Sequence, residues 1–264
     1  MQKLTLGCDA FIFDLDGTLY LGDQVLPGAV ETIRALRAAG KRILFLSNNP
    51  TRSCAQYVKK LAGMGFRVDV EEIINSSLVL VHWLKQNAPA ARLFVIGEQP
   101  LKDELSRAGF QFSERAGQIE IVVASFDRGF DYAKLQLAFD AIRAGARLVA
   151  TNPDRYCPTP GGGEPDCGAI IAAIEACTQV RCDPIVGKPS PVMSSFLLER
   201  LNLPAGHCML LGDRLETDIR MGLEAGMRTC LVLSGDANRD RLQASGLKPD
   251  LVLERMDELL LELG

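Results

Sequence analysis

The sequence predicts an α/β protein built on a doubly wound parallel sheet. Strand-like and helix-like segments alternate along its 264 residues. The strand-like segments are almost continuously apolar, as in 42–47 (Arg-Ile-Leu-Phe-Leu-Ser). Strands of this kind are typical of parallel sheets that are covered by helices on both faces.

An outer block of elements occupies the two ends of the chain. Its first predicted helix, 28–39, places Val30, Ile33 and Leu36 on one side, which is the spacing of a core-facing helix. The other elements of the block are predicted from helical spacing or from short apolar runs. The outer block comprises predicted strands 9–14, 42–47, 184–187, 207–212, 228–233 and 250–253, and predicted helices 28–39, 51–64, 191–201, 216–225 and 255–263.

A second alternating block lies between them. It comprises predicted helices 77–88, 100–108, 131–144 and 168–178, and predicted strands 92–97, 119–124 and 147–151. In helix 131–144, Tyr132, Leu135, Phe139 and Ile142 recur at helical spacing and predict a stripe that faces the core. The segment 152–167 is rich in proline and glycine and predicts a long loop, a kind of segment that is often functional.

Composition excludes several classes of protein. The net charge of −4 provides no basic surface for nucleic acid, and no apolar run is long enough to span a membrane. The N-terminus does not resemble a signal peptide. Eight cysteines without a Cys-x-x-Cys pair predict reduced, mostly buried thiols, notably at positions 8, 208 and 230, in a cytoplasmic protein.

The most informative motif is Phe11-Ile12-Phe13-Asp14-Leu15-Asp16-Gly17-Thr18. Residues two apart on a strand point to the same face, so Asp14 and Asp16 are expected side by side. Two adjacent carboxylates are costly unless a cation or a proton separates their charges. With a divalent metal and a phosphate ester, one carboxylate can attack phosphorus while the other transfers the leaving-group proton. An Asp-Gly turn is the alternative explanation, but it leaves Asp14 unexplained.

Three further predicted strands end in polar residues. Ser47 and the amides that follow it could hold phosphate oxygens, although an ordinary helix cap is the alternative. Lys188 precedes a proline-started helix and could balance phosphate charge, or be a surface lysine. Asp213, with Asp218 five residues later, could bind magnesium or cap a helix. Together these four sites lie at the carboxyl ends of parallel strands, where open α/β sheets bind ligands.

These four motifs resemble those of the haloacid dehalogenase (HAD) superfamily of phosphohydrolases, which have a Rossmann-like core. The matching residues are Phe13 to Thr18, Ser47-Asn48-Asn49, Lys188, and Gly212-Asp213 to Asp218. The chain between the first two motifs is too short for a cap domain, whereas that between the second and third is long enough. This spacing resembles the NagD-like branch, which implies a catalytic core over 1–78 and 183–264 and an inserted α/β cap over 79–182. A homodimer formed through the cap is compatible with this arrangement.

The resemblance implies a role for each motif residue. Asp14 is the expected nucleophile and Asp16 the general acid and base. Ser47 and the Asn48 amide are expected to bind phosphate, and Lys188 to steady the nucleophile and the transferring group.

The resemblance also implies a Mg²⁺ cofactor. Its expected ligands are Asp14, the main-chain carbonyl of Asp16, and Asp213. Asp218 resembles an outer-shell acid that orients Lys188 or a water on the metal.

The expected function is magnesium-dependent hydrolysis of small phosphate monoesters, with sugar phosphates and nucleoside monophosphates as the leading substrate classes. A phosphotransferase or mutase with the same nucleophile is one alternative. A non-catalytic protein that binds phosphate ligands on the same scaffold is another. Loop 152–167 is the candidate for substrate choice, through Asp154, Arg155 and Tyr156, and a mobile surface loop is the alternative reading of that segment.

Overall fold

The structure is a computed structural model that describes residues 7–159 and 162–262. Its strands follow the apolar segments of the sequence, and several short strands are added to them. In chain order the strands are β1 (Ala10–Asp14), β2 (Tyr20–Leu21), β3 (Gln24–Val25), β4 (Arg42–Ser47), β5 (Ile73–Asn75), β6 (Arg92–Ile96), β7 (Gln111–Phe112), β8 (Ile121–Ala124), β9 (Arg147–Ala150), β10 (Tyr156–Thr159), β11 (Gly162–Pro165), β12 (Cys208–Gly212), β13 (Arg228–Val232) and β14 (Leu251–Leu253).

The helices alternate with these strands. They are α1 (Ala29–Ala38), α2 (Cys54–Gly63), α3 (Ser76–Asn87), α4 (Gln99–Arg107), α5 (Tyr132–Arg143), α6 (Cys167–Thr178), α7 (Pro191–Leu201), α8 (Arg220–Glu224) and α9 (Arg239–Ser245). Short 3₁₀ turns occur at Val70–Glu72, Ala116–Gln118, Ala205–His207 and Met256–Glu262, and a π turn at Leu215–Ile219 precedes α8. In the part of the chain that the structure describes, no helix is both long and apolar enough to cross a membrane.

The chain divides into two compact units. The first comprises Met1–Ser47, Cys54–Ile74 and Lys188–Gly264, and the second comprises Asn48–Ser53 and Asn75–Gly187. The second unit thus takes in residues 75–78 and 183–187, which the sequence prediction assigned to the core, and also the short segment 48–53 that follows β4.

The first unit contains a six-stranded sheet in the order β14-β13-β12-β1-β4-β5. β1 is buried along its whole length and pairs in parallel with β12 on one side and β4 on the other. Its two faces bury large apolar side chains, and the core on one face includes Phe11, Phe13, Phe45, Met209 and Leu211. A doubly wound α/β core is therefore confirmed.

The register of this sheet brings its polar strand ends to one edge. Asp14 is the last residue of β1 and pairs with Leu46, so it lies level with the end of β4, at Ser47. On the other side, Phe13 pairs with Leu211, which places the end of β12 and the following Asp213 beside Asp14. The expected convergence of strand-end side chains at this edge follows from the register.

The second unit contains a four-stranded sheet in the order β7-β6-β8-β9, with parallel pairing throughout. Helices α5 and α6 pack against it, and Val122, Leu148 and Ile174 are among the buried side chains of that core. This unit is also α/β, as expected of the inserted block.

Three sequence predictions in the second unit are wrong in detail. The segment 184–187 is not a strand, because only Ile185 pairs, in an isolated bridge with Ala150. The segment 152–167 is not structureless, because β10 and β11 pair in an antiparallel hairpin that joins Tyr156 to Pro165. The stripe predicted on α5 is not entirely core, since Tyr132 is 78% exposed. The buried face of α5 is instead formed by Ala138, Ala141 and Ile142.

Candidate active site

A buried ammonium group lies between two buried carboxylates in the first unit. Lys188 Nζ donates hydrogen bonds to Asp14 Oδ1 at 2.5 Å and to Asp218 Oδ1 at 2.6 Å. Lys188 is only 3% exposed and Asp14 8%. The peptide bond from Lys188 to Pro189 is cis, and Ser190, the next residue, caps α7. The lysine thus fixes the orientation of the Asp14 carboxylate.

Asp213 completes the carboxylate group, with an oxygen within 4.8 Å of oxygens of Asp14 and Asp218. Its Oδ2 accepts a 2.7 Å hydrogen bond from the backbone amide of Asp236. Thr18 Oγ1 lies 3.4 Å from both Asp14 Oδ2 and Asp213 Oδ1, so its hydroxyl connects the two acids. Gly17 has a φ of 90° and lies against the Asp213 carboxylate, where any Cβ would clash. A glycine is therefore required at this turn.

The position of Asp218 depends on an irregular helix start. The predicted helix 216–225 begins as a π turn, in which the amide of Ile219 bonds to the carbonyl of Arg214. Such wide turns often occur at functional sites. This turn directs Asp218 back toward β12. Its carboxylate packs so closely against Gly212 that a Cβ at position 212 would clash with it. Asp218 Oδ2 accepts a hydrogen bond from the Arg214 amide at 3.2 Å.

Burial and mutual repulsion dominate the electrostatics of this group. Burial, together with the charges of Asp14 and Asp218, raises the pKa of Asp213 to about 8. Burial also raises the pKa of Asp218 to about 6, although Lys188 opposes this shift. Burial alone would lower the pKa of Lys188, but Asp14 and Asp218 outweigh it and raise that pKa, so the lysine stays charged.

These residues fit a divalent cation. Carboxylate oxygens of Asp14, Asp213 and Asp218 lie within 4.8 Å of one another, and all three residues are buried. One lysine cannot balance three carboxylates, and burial with mutual repulsion raises the pKa of both Asp213 and Asp218. Carboxylate oxygens are the ligands that Mg²⁺ prefers, so Asp14 and Asp213 could hold the ion while Asp218 remains bonded to Lys188.

The side chain of Asp16 does not belong to this group of three buried carboxylates. β1 ends at Asp14, so the following turn places Asp16, and its side chain is exposed rather than aligned with Asp14 by strand alternation. The premise of the expected side-by-side arrangement, that Asp16 continues the strand, is therefore wrong. The Asp16 carboxylate accepts a 3.2 Å hydrogen bond from the buried hydroxyl of Tyr20. Burial, with the charge of Asp16 next, raises the pKa of Tyr20.

Ser47 is the last residue of β4 and is 4% exposed. Its Oγ lies 3.0 Å from the hydroxyl of Tyr57, which projects from α2 and is completely buried. The hydroxyl expected to bind phosphate is thus held by a second buried tyrosine.

Asn48, the other expected phosphate ligand, begins the segment of the second unit that follows β4. Its carbonyl accepts hydrogen bonds from Ser76 Oγ at 2.6 Å and from Asn152 Nδ2 at 3.0 Å. Its side-chain amide donates to Asp154 Oδ2 at 3.1 Å. Asp154, expected as a substrate contact, therefore bonds to Asn48.

The other two residues expected to contact substrate lie on the surface of the second unit. Arg155 and Tyr156 are exposed, at the start of the β10–β11 hairpin. The base of this hairpin is tied to the first turn of α6, because the amide of Gly168 donates to the carbonyl of Asp154. The hairpin is consequently anchored at its base.

Sequence reasoning did not identify Thr18, Tyr20 or Tyr57 as site residues. Thr18 lies within the first motif, four residues after Asp14, and that proximity was the available signal. Tyr20 and Tyr57 read as ordinary apolar positions, because nothing in a single sequence shows that their hydroxyls meet Asp16 and Ser47.

Comparison with known proteins identifies the family. A model of haloacid dehalogenase-like hydrolases matches residues 11–111, and a second, HAD-hydrolase-like model matches residues 185–259. The sugar-phosphatase AraL of Bacillus subtilis is 39% identical over 94% of this chain and 90% of its own length.

Solved structures agree with this result. The 4-nitrophenylphosphatase of Thermotoga maritima superposes with a TM-score of 0.93, at 34% identity, over 97% of both chains. NagD of E. coli K-12 superposes with a TM-score of 0.88, at 28% identity, over 95% of this chain and 98% of its own. The chain is therefore a haloacid dehalogenase-like phosphoric monoester hydrolase and belongs to the NagD-like phosphatases.

Proposed function

We propose that this protein hydrolyses small phosphate monoesters in two steps, with Asp14 as the nucleophile and Mg²⁺ as the cofactor. The observation that carries the proposal is the buried group in which Lys188 bonds to Asp14 and Asp218, with a carboxylate oxygen of Asp213 within 4.8 Å of both acids. A nucleophile needs its lone pair directed at phosphorus, and these contacts fix one oxygen of Asp14.

In the first step, Asp14 attacks phosphorus in line and forms an aspartyl-phosphate. The bond from phosphorus to the ester oxygen breaks, and Asp16, protonated, gives its proton to the departing oxygen. Lys188 remains charged and lies against Asp14, so it can stabilise negative charge on the transferring group. The Ser47 hydroxyl and the Asn48 amide hold phosphate oxygens.

In the second step, Asp16 is now a carboxylate and removes a proton from water. That water attacks the aspartyl-phosphate, releases inorganic phosphate and restores Asp14. The exposure of Asp16 supports this role, because a group that exchanges protons with substrate and water needs access to both.

Bound Mg²⁺ would supply positive charge to the phosphate oxygens and thereby lower the cost of bringing a phosphate dianion to a carboxylate. Asp14 and Asp213 would hold it through carboxylate oxygens, and Asp16 through its main-chain carbonyl. Asp218 would act from outside, by orienting Lys188.

The second unit, in this proposal, is the cap that selects the substrate. The β10–β11 hairpin presents Arg155 and Tyr156 on its surface, where they could contact the alcohol part of an ester. Sugar phosphates are the first class to test, since AraL is a sugar phosphatase, and nucleoside monophosphates are the second.

A panel of phosphate esters tests the proposal. The purified protein, with Mg²⁺, should release inorganic phosphate from sugar phosphates or nucleoside monophosphates, and excess EDTA should abolish release. Adding an alcohol acceptor distinguishes hydrolysis from transfer, because a transferase would make a new ester in place of phosphate. Absence of phosphate release across the panel with Mg²⁺ would contradict the proposal.

A further inference from the structure

Two buried tyrosines each contact a polar group of the site. One group, Asp16, is proposed to transfer a proton, and the other, Ser47, to bind phosphate. Tyr20 donates to Asp16 Oδ2 at 3.2 Å, and Tyr57 lies 3.0 Å from Ser47 Oγ. Both tyrosines are 0% exposed and belong to the same apolar core. A buried hydroxyl needs a partner, but that requirement does not explain why both partners are site residues.

The position of Tyr20 is fixed by its backbone and its ring. The turn after β1 closes through a hydrogen bond from the Gly17 amide to the Tyr20 carbonyl at 2.8 Å, and another joins the Tyr20 amide to the Leu15 carbonyl at 3.3 Å. Lys60 Nζ lies 3.8 Å from the centroid of the ring. Asp16, in contrast, is exposed, so Tyr20 is a fixed donor to a side chain at the surface.

This hydrogen bond has a chemical consequence for a general acid. Since Tyr20 donates to Oδ2, and the unprotonated oxygen of a carboxyl group is the better acceptor, the contact favours Oδ1 as the carrier of the proton that Asp16 delivers. When that proton leaves, Oδ2 becomes part of a carboxylate and the bond from Tyr20 becomes charge-assisted, which strengthens it. The contact is therefore more favourable after proton donation than before.

The contact of Tyr57 concerns a different group. Ser47 ends β4, and its hydroxyl is proposed to donate to a phosphate oxygen. A hydroxyl has one hydrogen, so an arrangement in which Tyr57 donates to Ser47 Oγ leaves the serine proton to be directed by its surroundings. Tyr57 thus bears on phosphate affinity and has no part in proton transfer.

We propose that Tyr20 and Tyr57 are positioning residues with separate tasks. Tyr20 orients the Asp16 carboxyl for proton transfer to the leaving group, and Tyr57 orients the Ser47 hydroxyl toward phosphate. This inference rests on the proposed function, because it assigns each tyrosine to a step of that reaction.

The test compares three Tyr→Phe variants of the full chain, on an alkyl phosphate and on 4-nitrophenyl phosphate. Y20F and Y57F each remove one buried hydroxyl and keep the ring. Y132F is the matched control, because Tyr132 is exposed on α5 in the other unit. Thermal unfolding of each variant checks that the fold is retained.

Y20F should lower kcat for the alkyl ester by about tenfold and leave the aryl ester nearly unchanged, because 4-nitrophenolate departs without a proton. Y57F should raise KM for both esters, and the inhibition constant of inorganic phosphate, by about five- to tenfold, with little change in kcat. Y132F should match the wild type on both.

An equal loss on both esters in Y20F, or no loss, would overturn the assignment of Tyr20. Unchanged phosphate affinity in Y57F would overturn that of Tyr57. Asp16→Asn separates these failures from failure of the reaction itself. If D16N spares the ratio of alkyl to aryl kcat/KM, the proposed general acid is wrong and Tyr20 falls with it. If D16N lowers that ratio and Y20F does not, only the tyrosine is misassigned.

Discussion

The ammonium group of Lys188 lies 2.5 Å from Oδ1 of Asp14, and both residues are buried. Removing the lysine of such a pair leaves an uncompensated buried carboxylate, which is strongly destabilising, whereas removing Asp14 leaves Lys188 bonded to Asp218. Here the pair is part of a larger group, since Asp213 and Asp218 add two further carboxylates. The arrangement holds Asp14 in one orientation and at the same time creates an excess of negative charge that a cation would relieve.

Asp14→Asn should abolish turnover in a folded protein. The amide keeps the shape of the side chain but cannot form an acyl-phosphate. It also removes one of three crowded negative charges, so thermal stability in EDTA should be equal to or above that of the wild type. Phosphate release and circular dichroism measure the two effects. Near-normal activity in the folded variant would rule out Asp14 as the nucleophile.

Asp213→Asn should raise the Mg²⁺ concentration needed for half-maximal activity. Asp213 is buried in the group of three carboxylates and its Oδ2 accepts a hydrogen bond from the Asp236 amide, so it is a preorganised ligand. Mutating an outer-shell partner of a metal typically weakens binding by about 10- to 100-fold, so losing a direct carboxylate ligand should weaken it by at least that much. Asp140→Asn, on the exposed face of α5, is a control for the loss of an acid. An unchanged Mg²⁺ titration for D213N would remove Asp213 from the metal site.

Stabilisation by Mg²⁺ should increase with pH. The pKa of Asp213 is raised to about 8 and that of Asp218 to about 6, from an ordinary value of 3.8. Between the ordinary pKa of 3.8 and the raised pKa values, the folded protein holds protons that the unfolded chain has lost. Stability in EDTA therefore falls as pH rises toward 8. Mg²⁺ competes with those protons, and its benefit should therefore be small near pH 5 and large near pH 8.

Melting temperatures in EDTA and in Mg²⁺, measured across this range, test the prediction. The D213N protein should show a flatter dependence on pH in EDTA, because its raised pKa is gone. A melting temperature in EDTA that rises steadily from pH 5 to pH 8 would contradict the electrostatic account.

The β10–β11 hairpin should govern substrate preference. Replacing residues 156–165 with a short Gly-Ser linker retains Asp154, which bonds to Asn48, and Asp166, which caps α6. Basal hydrolysis of acetyl phosphate should persist, while KM for the preferred sugar phosphate rises. If the folded variant keeps its relative kcat/KM across an ester panel, specificity lies elsewhere in the second unit.

Much of the fold could be predicted from the sequence, because long apolar runs and clear helical stripes define most elements. β4 was expected at 42–47 and occurs at Arg42–Ser47. Short elements gave no such signal. α9 buries none of its residues, and the β2–β3 ribbon has two residues in each strand, so neither has a periodicity to detect. The β10–β11 hairpin contains prolines and glycines that are typical of loops.

The candidate site was predictable where topology determines it. Asp14 and Asp213 meet because strand ends of a parallel sheet share an edge, whereas Lys188 follows no strand of that sheet and Asp218 lies in the π turn after β12. The placement of Asp16 was not predictable, because strand alternation stops at Asp14 and a turn follows. Tertiary packing also brings the Tyr57 hydroxyl to Ser47, a contact with no signature in sequence spacing.

The stereochemistry of phosphoryl transfer tests the central claim, a two-step reaction through a phosphorylated protein side chain, most directly. Each in-line attack inverts phosphorus, so two successive attacks retain its configuration. The substrate is a chiral phosphorothioate ester that carries two oxygen isotopes, hydrolysed with Mg²⁺ in water of the third isotope. The account predicts retention in the released thiophosphate. Inversion would mean that water attacks the ester directly and would contradict the account.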